Sequence, residues 1–454
     1  MKKGQEFALT IENVDFPNKG IAYAEDKKII VKNTLPGQKV HVRIVKKKGS
    51  KIVGRVLETL EEAPDQIPSQ CVHFPDCGGC AYQHYPYDKQ LQLKEKQLLK
   101  ILKAAGVEDD TFEGVHPSPK QTAYRNKMEF TFGDQEKDGP LTIGMHERGR
   151  FYEIVPVTDC QIVDEDYRMI LSATQDFFRK NGTPFYHRRS HQGILRYLVV
   201  RRAEFTKEIL VNLVTSTQGE VDTEGYLELM KSLPLEQTLV GVLHTENDTL
   251  GDVVIPEKVN LLYGRDYLVE KLLGLTFQIG AFSFFQTNSA GAEVLYNTVR
   301  EYVGDVDDQI VFDLFSGTGT IGQLMASTAK EVYGIELVEE AVEAAKINAE
   351  KNSLTNCHFV AGDVFEKVDE LSDQGITPDV IILDPPRMGV LEKTLEKIIA
   401  FNSPRIVYVS CKASSLVENL KQLQAAGYVI EKTTAVDMFA ATPHVETIVS
   451  LSKN

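Results

Sequence analysis

The stretch that decides the fold is Ile310-Val311-Phe312-Asp313-Leu314-Phe315-Ser316-Gly317-Thr318-Gly319-Thr320-Ile321-Gly322. An apolar strand leads directly into glycines at 317, 319 and 322, which match the G-x-G-x-x-G spacing of a strand–turn–helix unit. Glycine permits the tight turn and the close approach of backbone to a ligand. Glu336 ends the next apolar stretch, where a carboxylate can accept both hydroxyl protons of a ribose. These features predict a nucleotide-type pocket, without separating a dinucleotide from S-adenosylmethionine.

Outward from this stretch, apolar segments alternate with helical ones. The predicted strands are 310–315, 331–336, 358–360, 379–384 and 405–410, and the predicted helices include 339–352 and 413–426. This alternation is typical of an α/β protein with a doubly wound parallel sheet. Such sheets bind their ligands at the carboxyl ends of the strands.

A short motif at the end of the fourth predicted strand separates the two cofactors. It reads Asp384-Pro385-Pro386-Arg387, and the two prolines fix a rigid backbone with few free N–H groups. An acid followed by two prolines at this place is similar to methyltransferases that modify nucleobases, not to dehydrogenases. We therefore expect a class I methyltransferase sheet that binds S-adenosylmethionine.

Cys411 ends the fifth predicted strand, at the same edge of the sheet. Carbon 5 of uracil is a weak nucleophile, but a thiolate that adds at carbon 6 activates it, so covalent catalysis divides one hard step into easier ones. A free thiol titrates near ~8.5, and we expect the adjacent Lys412 to favour the thiolate. Glu446, just before the apolar run 448–451, is the predicted base that removes the carbon 5 proton, with His444 as the competing candidate.

Charge is distributed unevenly along the 454 residues. Residues 1–60 carry 13 Lys+Arg and 6 Asp+Glu, a net +7, whereas the whole chain has a net charge of -15. Several short strands with turn signals in this basic segment predict a small OB-like barrel, a fold that often binds oligonucleotides. Residues 46–51 form a basic hairpin tip on it, although a lysine-rich solvated surface is also common.

Four of the six cysteines form the pattern Cys71-x5-Cys77-x2-Cys80 with a distant Cys160. No apolar run reaches membrane-spanning length and no export signal is visible, so we expect a cytoplasmic protein without a membrane partner, whose clustered thiols bind a metal instead of forming disulfides. Four thiolates satisfy either zinc or a 4Fe–4S cluster. Cys357 is interpreted as an ordinary core thiol.

Taken together, the motifs resemble those of the RNA (uracil-5-)-methyltransferases, specifically the iron–sulfur branch that acts on 23S ribosomal RNA. The resemblance rests on the cysteine pattern, Tyr124-Arg125-Asn126-Lys127, Phe284-Phe285-Gln286-Thr287-Asn288 and Asp313-Leu314-Phe315-Ser316-Gly317, in the family's order. It implies an N-terminal TRAM barrel at 1–60, a mixed α+β central domain with the cluster at 61–275, and a methyltransferase domain at 276–454. A helix at 88–105, with Asp88 as its predicted N-cap, is expected to pack on the last of these.

The same resemblance implies the site residues. The catalytic cysteine falls on Cys411 and the general base on Glu446. Cys71, Cys77, Cys80 and Cys160 would hold a 4Fe–4S cluster. The contacts to S-adenosylmethionine would be Gln286, Phe315, Thr320, Glu336, Asp363 and Asp384, although Asp363 reads almost equally well as a cap or loop carboxylate.

The implied substrate is an unpaired or loop uridine that is flipped into the pocket, and the protein is expected to be a monomer. Transfer-RNA members share the catalytic core, so a tRNA substrate stays open. Two other classes are an RNA-binding module without catalysis and a nicotinamide-dependent oxidoreductase with an iron–sulfur centre.

Overall fold

The computed structural model describes residues 1–453. Its N-terminal region is a six-stranded sheet with the order β1-β5-β6-β4-β3-β2. The strands are β1 (Glu6–Thr10), β2 (Asn13–Asp15), β3 (Lys19–Ala24), β4 (Lys27–Lys32), β5 (Lys39–Lys48) and β6 (Lys51–Glu61). Alternate residues of β5, including Val40, Val42 and Ile44, are buried in a separate apolar core. The basic hairpin tip is present, because Gly49 and Ser50 connect β5 to β6.

A helix and a strand then cross to the C-terminal part of the molecule. They are α1 (Tyr87–Leu102), which continues as a 3-10 turn (Lys103–Ala105), and β7 (Phe112–His116). The predicted helix is confirmed, and it stops at Gly106, whose φ of 74° suits glycine. The predicted cap is wrong, because Pro86 occupies the N-cap position and Asp88 lies in the first turn. Proline has no side-chain acceptor, so no side-chain cap forms, and the Asp88 carboxylate lies in the first turn, where it favours the positive end of the helix dipole.

The central region is a seven-stranded sheet with two helices. Its order is β10-β9-β8-β11-β12-β13-β14. The elements are β8 (Lys127–Gly133), β9 (Thr142–His146), β10 (Ile154–Pro156), α2 (Glu165–Asn181), β11 (Leu195–Arg202), β12 (Glu208–Thr215), α3 (Thr223–Ser232), β13 (Thr238–Glu246) and β14 (Lys258–Gly264). Aromatic residues of α2 and α3, Phe178 and Tyr226, stack in its core.

The C-terminal region is built on an eight-stranded sheet with the order β19-β18-β17-β20-β21-β23-β22-β7. A hairpin and a helix precede it: β15 (Tyr267–Leu272), β16 (Leu275–Gly280) and α4 (Ser289–Val303). The remaining elements are β17 (Ile310–Leu314), α5 (Thr320–Met325), β18 (Glu331–Glu336), α6 (Glu339–Lys351), β19 (Cys357–Ala361), α7 (Val364–Asp373), β20 (Val380–Leu383), α8 (Glu392–Ala400), β21 (Arg405–Ser410), α9 (Ala413–Ala425), β22 (Val429–Val436) and β23 (Glu446–Ser452).

This arrangement confirms the predicted doubly wound sheet. The five strands β17 to β21 pair in parallel, and β23 inserts antiparallel between β21 and β22. Successive residues of β17 face opposite cores: Val311 packs with α4 and α5, whereas Phe312 packs with α8, α9 and the end of α1. Because β7 pairs with β22, residues assigned to the central segment complete the edge of this sheet. Within residues 1–453, no helix has the length and apolar character to cross a membrane.

Candidate active site

A glycine-rich turn after β17 forms the base of the candidate site. Phe315, Gly317 and Gly319 have φ values of 66°, 55° and 70°, in the left-handed region. A Cβ atom on Gly319 would lie 2.5 Å from the Phe359 ring, so this position admits only glycine. A non-glycine residue such as Phe315 adopts this conformation at an energetic cost that commonly marks a functional turn.

Two carboxylates hold the turn in shape. Asp313 Oδ2 accepts a hydrogen bond from Gly322 N at 2.8 Å, and Glu336 Oε2 accepts one from Gly317 N at 2.9 Å. Asp313 Oδ1 and Ser316 Oγ are buried and have no partner within residues 1–453. Buried polar atoms normally have hydrogen-bond partners, so these two unpartnered atoms fit a turn that binds a polar ligand.

Two sequence motifs that are 160 residues apart meet beside this turn. Asn126 Nδ2 donates to Gln286 O at 2.9 Å, and Asn126 N donates to Thr287 O at 2.9 Å. The side chain of Gln286 is buried, and Thr318 Oγ1 donates to Phe284 O at 3.4 Å. The segment 284–288 therefore covers the glycine-rich turn, and the segment 124–127 fixes it there.

Two further predicted cofactor contacts, Thr320 and Asp363, have different surroundings. Thr320 is the first residue of α5, and its hydroxyl lies 3.3 Å from that of Thr318. Asp363 is exposed and caps α7, since its Oδ1 accepts from Phe365 N at 2.9 Å. Capping is the alternative role that the sequence left open for Asp363.

The predicted chemical groups converge at the carboxyl edge of the sheet. Asp384 follows β20, Cys411 follows β21, and Glu446 is the first residue of β23. The parallel pairing of β20 with β21 and the register Ser410↔Thr447 between β21 and β23 bring these positions together. Strand geometry alone thus gathers an acid, a thiol and a buried second acid.

The protein surroundings disfavour the charged forms of these groups. Burial and the neighbouring Asp384 raise the pKa of Glu446 well above its usual value. Burial and Asp313 raise the pKa of Asp384 to about 7, and burial raises that of Asp313 also to about 7. Burial, Glu446 and Asp384 raise the pKa of the Cys411 thiol. An acidic, partly buried site of this kind favours a cationic ligand.

Arg387 is a residue of the site that the sequence reasoning did not assign. Its charge and hydrogen bonding lower the pKa of the Cys411 thiol, against the effect of burial, and its charge lowers that of Glu446. Lys412, the predicted partner of the thiol, is exposed, and the cation with a marked effect on the pKa of Cys411 is Arg387. The expectation for Lys412 stays a prediction. The place of Arg387 directly after Asp384-Pro385-Pro386 was the available signal.

Tyr296, in α4, also borders the site. Burial raises its pKa most, Asp384, Asp313 and Glu446 raise it further, and a hydrogen bond with Gln286 lowers it. No motif marked this residue in the sequence.

His444 lies next to the site but is held differently from Glu446. Its ring packs edge-on against Phe16 of the N-terminal region, with centroids 6.0 Å apart. Burial, Arg387 and Lys94 lower its pKa, so the ring stays neutral near physiological pH.

The four clustered cysteines also come together in the structure. Each of Cys71, Cys77 and Cys80 raises the pKa of the Cys160 thiol, which burial brings to about 12. Gly79 N donates to Cys77 Sγ at 3.4 Å, and Gln83 Nε2 donates to Cys80 Sγ at 3.5 Å. All six cysteines of the chain are free thiols. Hydrogen bonds to sulfur in a partly buried group of thiols suit thiolate ligands.

The geometry of this group does not match a single metal ion. Among the described residues, no three His, Cys, Asp or Glu side chains converge closely enough to bind one ion.

Comparisons with known proteins agree with this geometry. The family profile described as tRNA (Uracil-5-)-methyltransferase matches residues 252–454, and the TRAM domain profile matches residues 1–56. An uncharacterized RNA methyltransferase of Clostridium tetani is 52% identical over 100% of this chain and 99% of its own. Another, from Caldanaerobacter subterraneus, is 47% identical over the whole of both chains.

A solved structure is similar over nearly the entire fold. It is the Pyrococcus abyssi tRNA (uracil-54, C5)-methyltransferase in complex with S-adenosyl-L-homocysteine. The TM-score is 0.77 at 27% identity, with 98% of this chain and 99% of that chain covered.

The doubly wound sheet, its glycine-rich turn and the acidic pocket at the strand ends define an S-adenosylmethionine-dependent methyltransferase. The chain belongs to the RNA uracil-5-methyltransferase family, with a TRAM domain at its N-terminal end.

Proposed function

We propose that the protein methylates carbon 5 of a uridine in 23S ribosomal RNA through a covalent adduct with Cys411. The observation that carries the proposal is the convergence of Cys411, Arg387 and Glu446 at one edge of the sheet. Arg387 opposes the rise in the pKa of the Cys411 thiol that burial and the two carboxyl groups cause, and so favours the nucleophilic thiolate, while a buried carboxyl with a raised pKa is a base suited to neutral pH.

The residues of the chain divide the reaction into two steps. The Cys411 thiolate adds to carbon 6, and the electron pair of the 5,6 double bond moves into an enolate, which makes carbon 5 nucleophilic. After carbon 5 has gained the methyl group, Glu446 takes its proton. The electrons of that C–H bond restore the double bond and expel the thiolate.

We propose that Gln286, Phe315, Thr320, Glu336, Asp363 and Asp384 hold S-adenosylmethionine. When bound, this cofactor supplies the methyl group. The glycine-rich turn with its unpartnered Asp313 Oδ1 and Ser316 Oγ suits a polar ligand, and the acidic pocket suits its sulfonium and ammonium charges.

A uridine inside a helix cannot present its face to Cys411, so the substrate is an unpaired or flipped base. The N-terminal domain alone does not select ribosomal RNA, because the Pyrococcus tRNA enzyme aligns over 98% of this chain. Methylation of tRNA is therefore the second candidate function. The cysteine group supports the ribosomal RNA assignment, through its likeness to the branch with that substrate.

We also propose that Cys71, Cys77, Cys80 and Cys160 hold a 4Fe–4S cluster, with a structural role, because methyl transfer needs no redox step. Their mutual proximity and the N–H···S bonds support it. Anaerobic reconstitution is expected to load about four irons and four sulfides per chain. Stoichiometric zinc without sulfide would contradict the assignment. Free thiols are maintained in the cytoplasm, where we place the protein, as a monomer whose single chain carries every site residue.

To test this proposal, the protein is incubated with S-adenosylmethionine that carries a tritiated methyl group. The RNA in separate reactions is an unmodified transcript of 23S ribosomal RNA or unmodified tRNA. Label at carbon 5 of uridine in ribosomal RNA alone is the expected result, and label in tRNA alone favours the second candidate. Cys411→Ala should abolish labelling, whereas the matched Cys357→Ala should retain it, because Cys357 begins β19 away from the reacting edge. Equal labelling by Cys411→Ala would exclude the covalent mechanism.

A further inference from the structure

The loop that leads to Glu446 has no regular structure of its own. We define the base loop as residues 437–445, which connect β22 to β23. Its ends are joined by the pair Val436↔Glu446, so the position of the Glu446 carboxyl depends directly on how the loop is held. Ordering a nine-residue loop costs conformational entropy, so contacts with other parts of the protein must stabilise its conformation.

Helix α1 supplies the first set of contacts. Lys94 Nζ lies 2.7 Å from Asp437 Oδ1 and donates to Phe439 O at 3.2 Å. Tyr87 donates to Asp437 Oδ2 at 3.0 Å. The side chains of Lys94 and Asp437 are both 0% exposed. Loss of either partner would leave an uncompensated buried charge, so this pair fixes the start of the loop firmly.

Gln90, one turn earlier on α1, fixes the middle of the loop. Its Oε1 accepts from Ala441 N at 2.9 Å, while its Nε2 donates to Tyr82 O and Tyr85 O at 3.0 and 2.8 Å. Ala441 has a φ of 63°, a conformation that a non-glycine residue adopts only when its surroundings impose it.

The segment that carries the cysteines contacts the same point. Ala81 N and Tyr82 N, the residues directly after Cys80, donate to Ala441 O at 2.8 and 2.9 Å. Tyr124, which belongs to a motif without an assigned role, donates to Ala440 O at 3.0 Å. The cysteine segment is therefore hydrogen-bonded to the base loop.

Asn288 completes the set with a bond from its Nδ2 to Met438 O at 3.0 Å. Residues 437–441 thus each have a partner outside the loop, and the side chains that contact them lie outside the strands of the methyltransferase sheet. Two backbone bonds tie the start of the loop to that sheet: Asp437 N donates to His116 O of β7 at 2.9 Å, and Met438 N donates to Val436 O of β22 at 3.0 Å.

We infer that Gln90, Lys94 and Tyr124 are positioning residues for Glu446, and that the cysteine segment acts in the reaction by bracing the base loop. The inference rests on the proposed covalent mechanism. A base must lie within hydrogen-bond reach of the proton it removes, and a misplacement of about 1 Å can cost on the order of a hundredfold in rate. Loosening the loop should therefore slow proton removal more than thiolate addition, because Cys411 directly follows β21 and is not part of the loop.

The experiment separates adduct formation from adduct release. Gln90→Met removes all three bonds with little change in volume, and Tyr124→Phe removes a single hydroxyl. Protein–RNA adduct is followed on denaturing gels with methyl-labelled cofactor. Gln90→Met should form adduct at nearly the parent rate but release product about tenfold or more slowly. Tyr124→Phe should change release in the same direction by a smaller factor.

The matched control is Gln175→Met in α2 of the central region, where a similarly buried glutamine on a helix accepts from Ile143 N at 3.0 Å. It should leave the ratio of formation to release unchanged. Glu446→Gln tests the proposed function separately and should trap the adduct. If Glu446→Gln traps the adduct while Gln90→Met and Tyr124→Phe release it at the parent rate, the positioning inference is wrong. If Glu446→Gln does not trap it, the assignment of the base fails instead.

Discussion

Burial, Glu446 and Asp384 raise the pKa of the Cys411 thiol, and the nearby guanidinium of Arg387 opposes that rise. The pKa of the thiol therefore depends on the opposing effects of two carboxyl groups and one cation. The thiolate fraction at neutral pH depends on this balance, since only the thiolate is nucleophilic.

Arg387→Met is expected to reduce the thiolate fraction of Cys411 at neutral pH by about tenfold, which corresponds to one unit of pKa. The measurement is the rate of iodoacetamide alkylation of Cys411 as a function of pH, which needs no RNA. The alkylation profile should move to higher pH. Lys412→Met, which changes an exposed neighbour, should move the profile less than Arg387→Met does. Equal shifts in the two variants would contradict the assignment.

Adduct release is expected to depend on pH through Glu446. Burial and Asp384 raise the pKa of this carboxyl, and it accepts a proton only when ionised, so release should accelerate with rising pH and level off above the raised pKa. A pH jump applied to preformed adduct measures the rate directly. Asp384→Asn removes the neighbouring negative charge and should move the rise to lower pH, whatever its effect on cofactor binding. A release rate that is constant from about pH 5 to 8 would contradict this role.

Asp313→Asn is expected to stabilise the folded protein at alkaline pH. Asp313 is buried and its pKa is raised to about 7, above the value of about 3.9 for an unfolded chain. The stability that its neutral form contributes is therefore complete below about pH 4 and is lost as pH rises through about 7. Asparagine is neutral throughout and can still accept the bond from Gly322 N.

The free energy of unfolding of Asp313→Asn should exceed that of the parent by about 1 kcal/mol or more at pH 8, with little difference near pH 4. Denaturant unfolding at both pH values measures it. A variant that is less stable by the same amount at both pH values would show that Asp313 is ionised in the folded protein.

The sequence predicted the elements whose signals are local. The apolar run before Gly317 and the alternation of strands and helices after it predicted the doubly wound sheet. The ends of the predicted strands indicated the edge of the sheet where Cys411 and Glu446 meet. Contacts between distant segments could not be predicted in this way. Lys94 and Asp437 are 343 residues apart, and the sequence around either residue contains no pattern that predicts a buried ion pair.

The same limit applies to the cation beside the thiol. Sequence adjacency to Cys411 suggested Lys412, whereas the approach of Arg387 depends on how the loop after β20 packs. The pairing of β7 with β22 is likewise a tertiary event, since a five-residue strand carries too little pattern to reveal its sheet.

The hairpin tip of the TRAM domain offers a test of where RNA binds. Lys46, Lys48 and Lys51 are exposed, and none of them forms an ion pair within residues 1–453, whereas the chain as a whole is acidic. Unpaired cations of this kind bind phosphates and displace the counterions of the RNA. Each phosphate contact therefore lowers the binding constant by about 0.7–0.9 logarithmic units for every tenfold rise in salt concentration. Replacing all three lysines by glutamine should reduce the slope of log affinity against log salt by about 2–3.

The matched control replaces Lys231, Lys346 and Lys421, exposed lysines that each pair with a glutamate three residues earlier. The two triple variants have the same net charge, so an equal change of slope in both would mean that the hairpin makes no specific phosphate contacts.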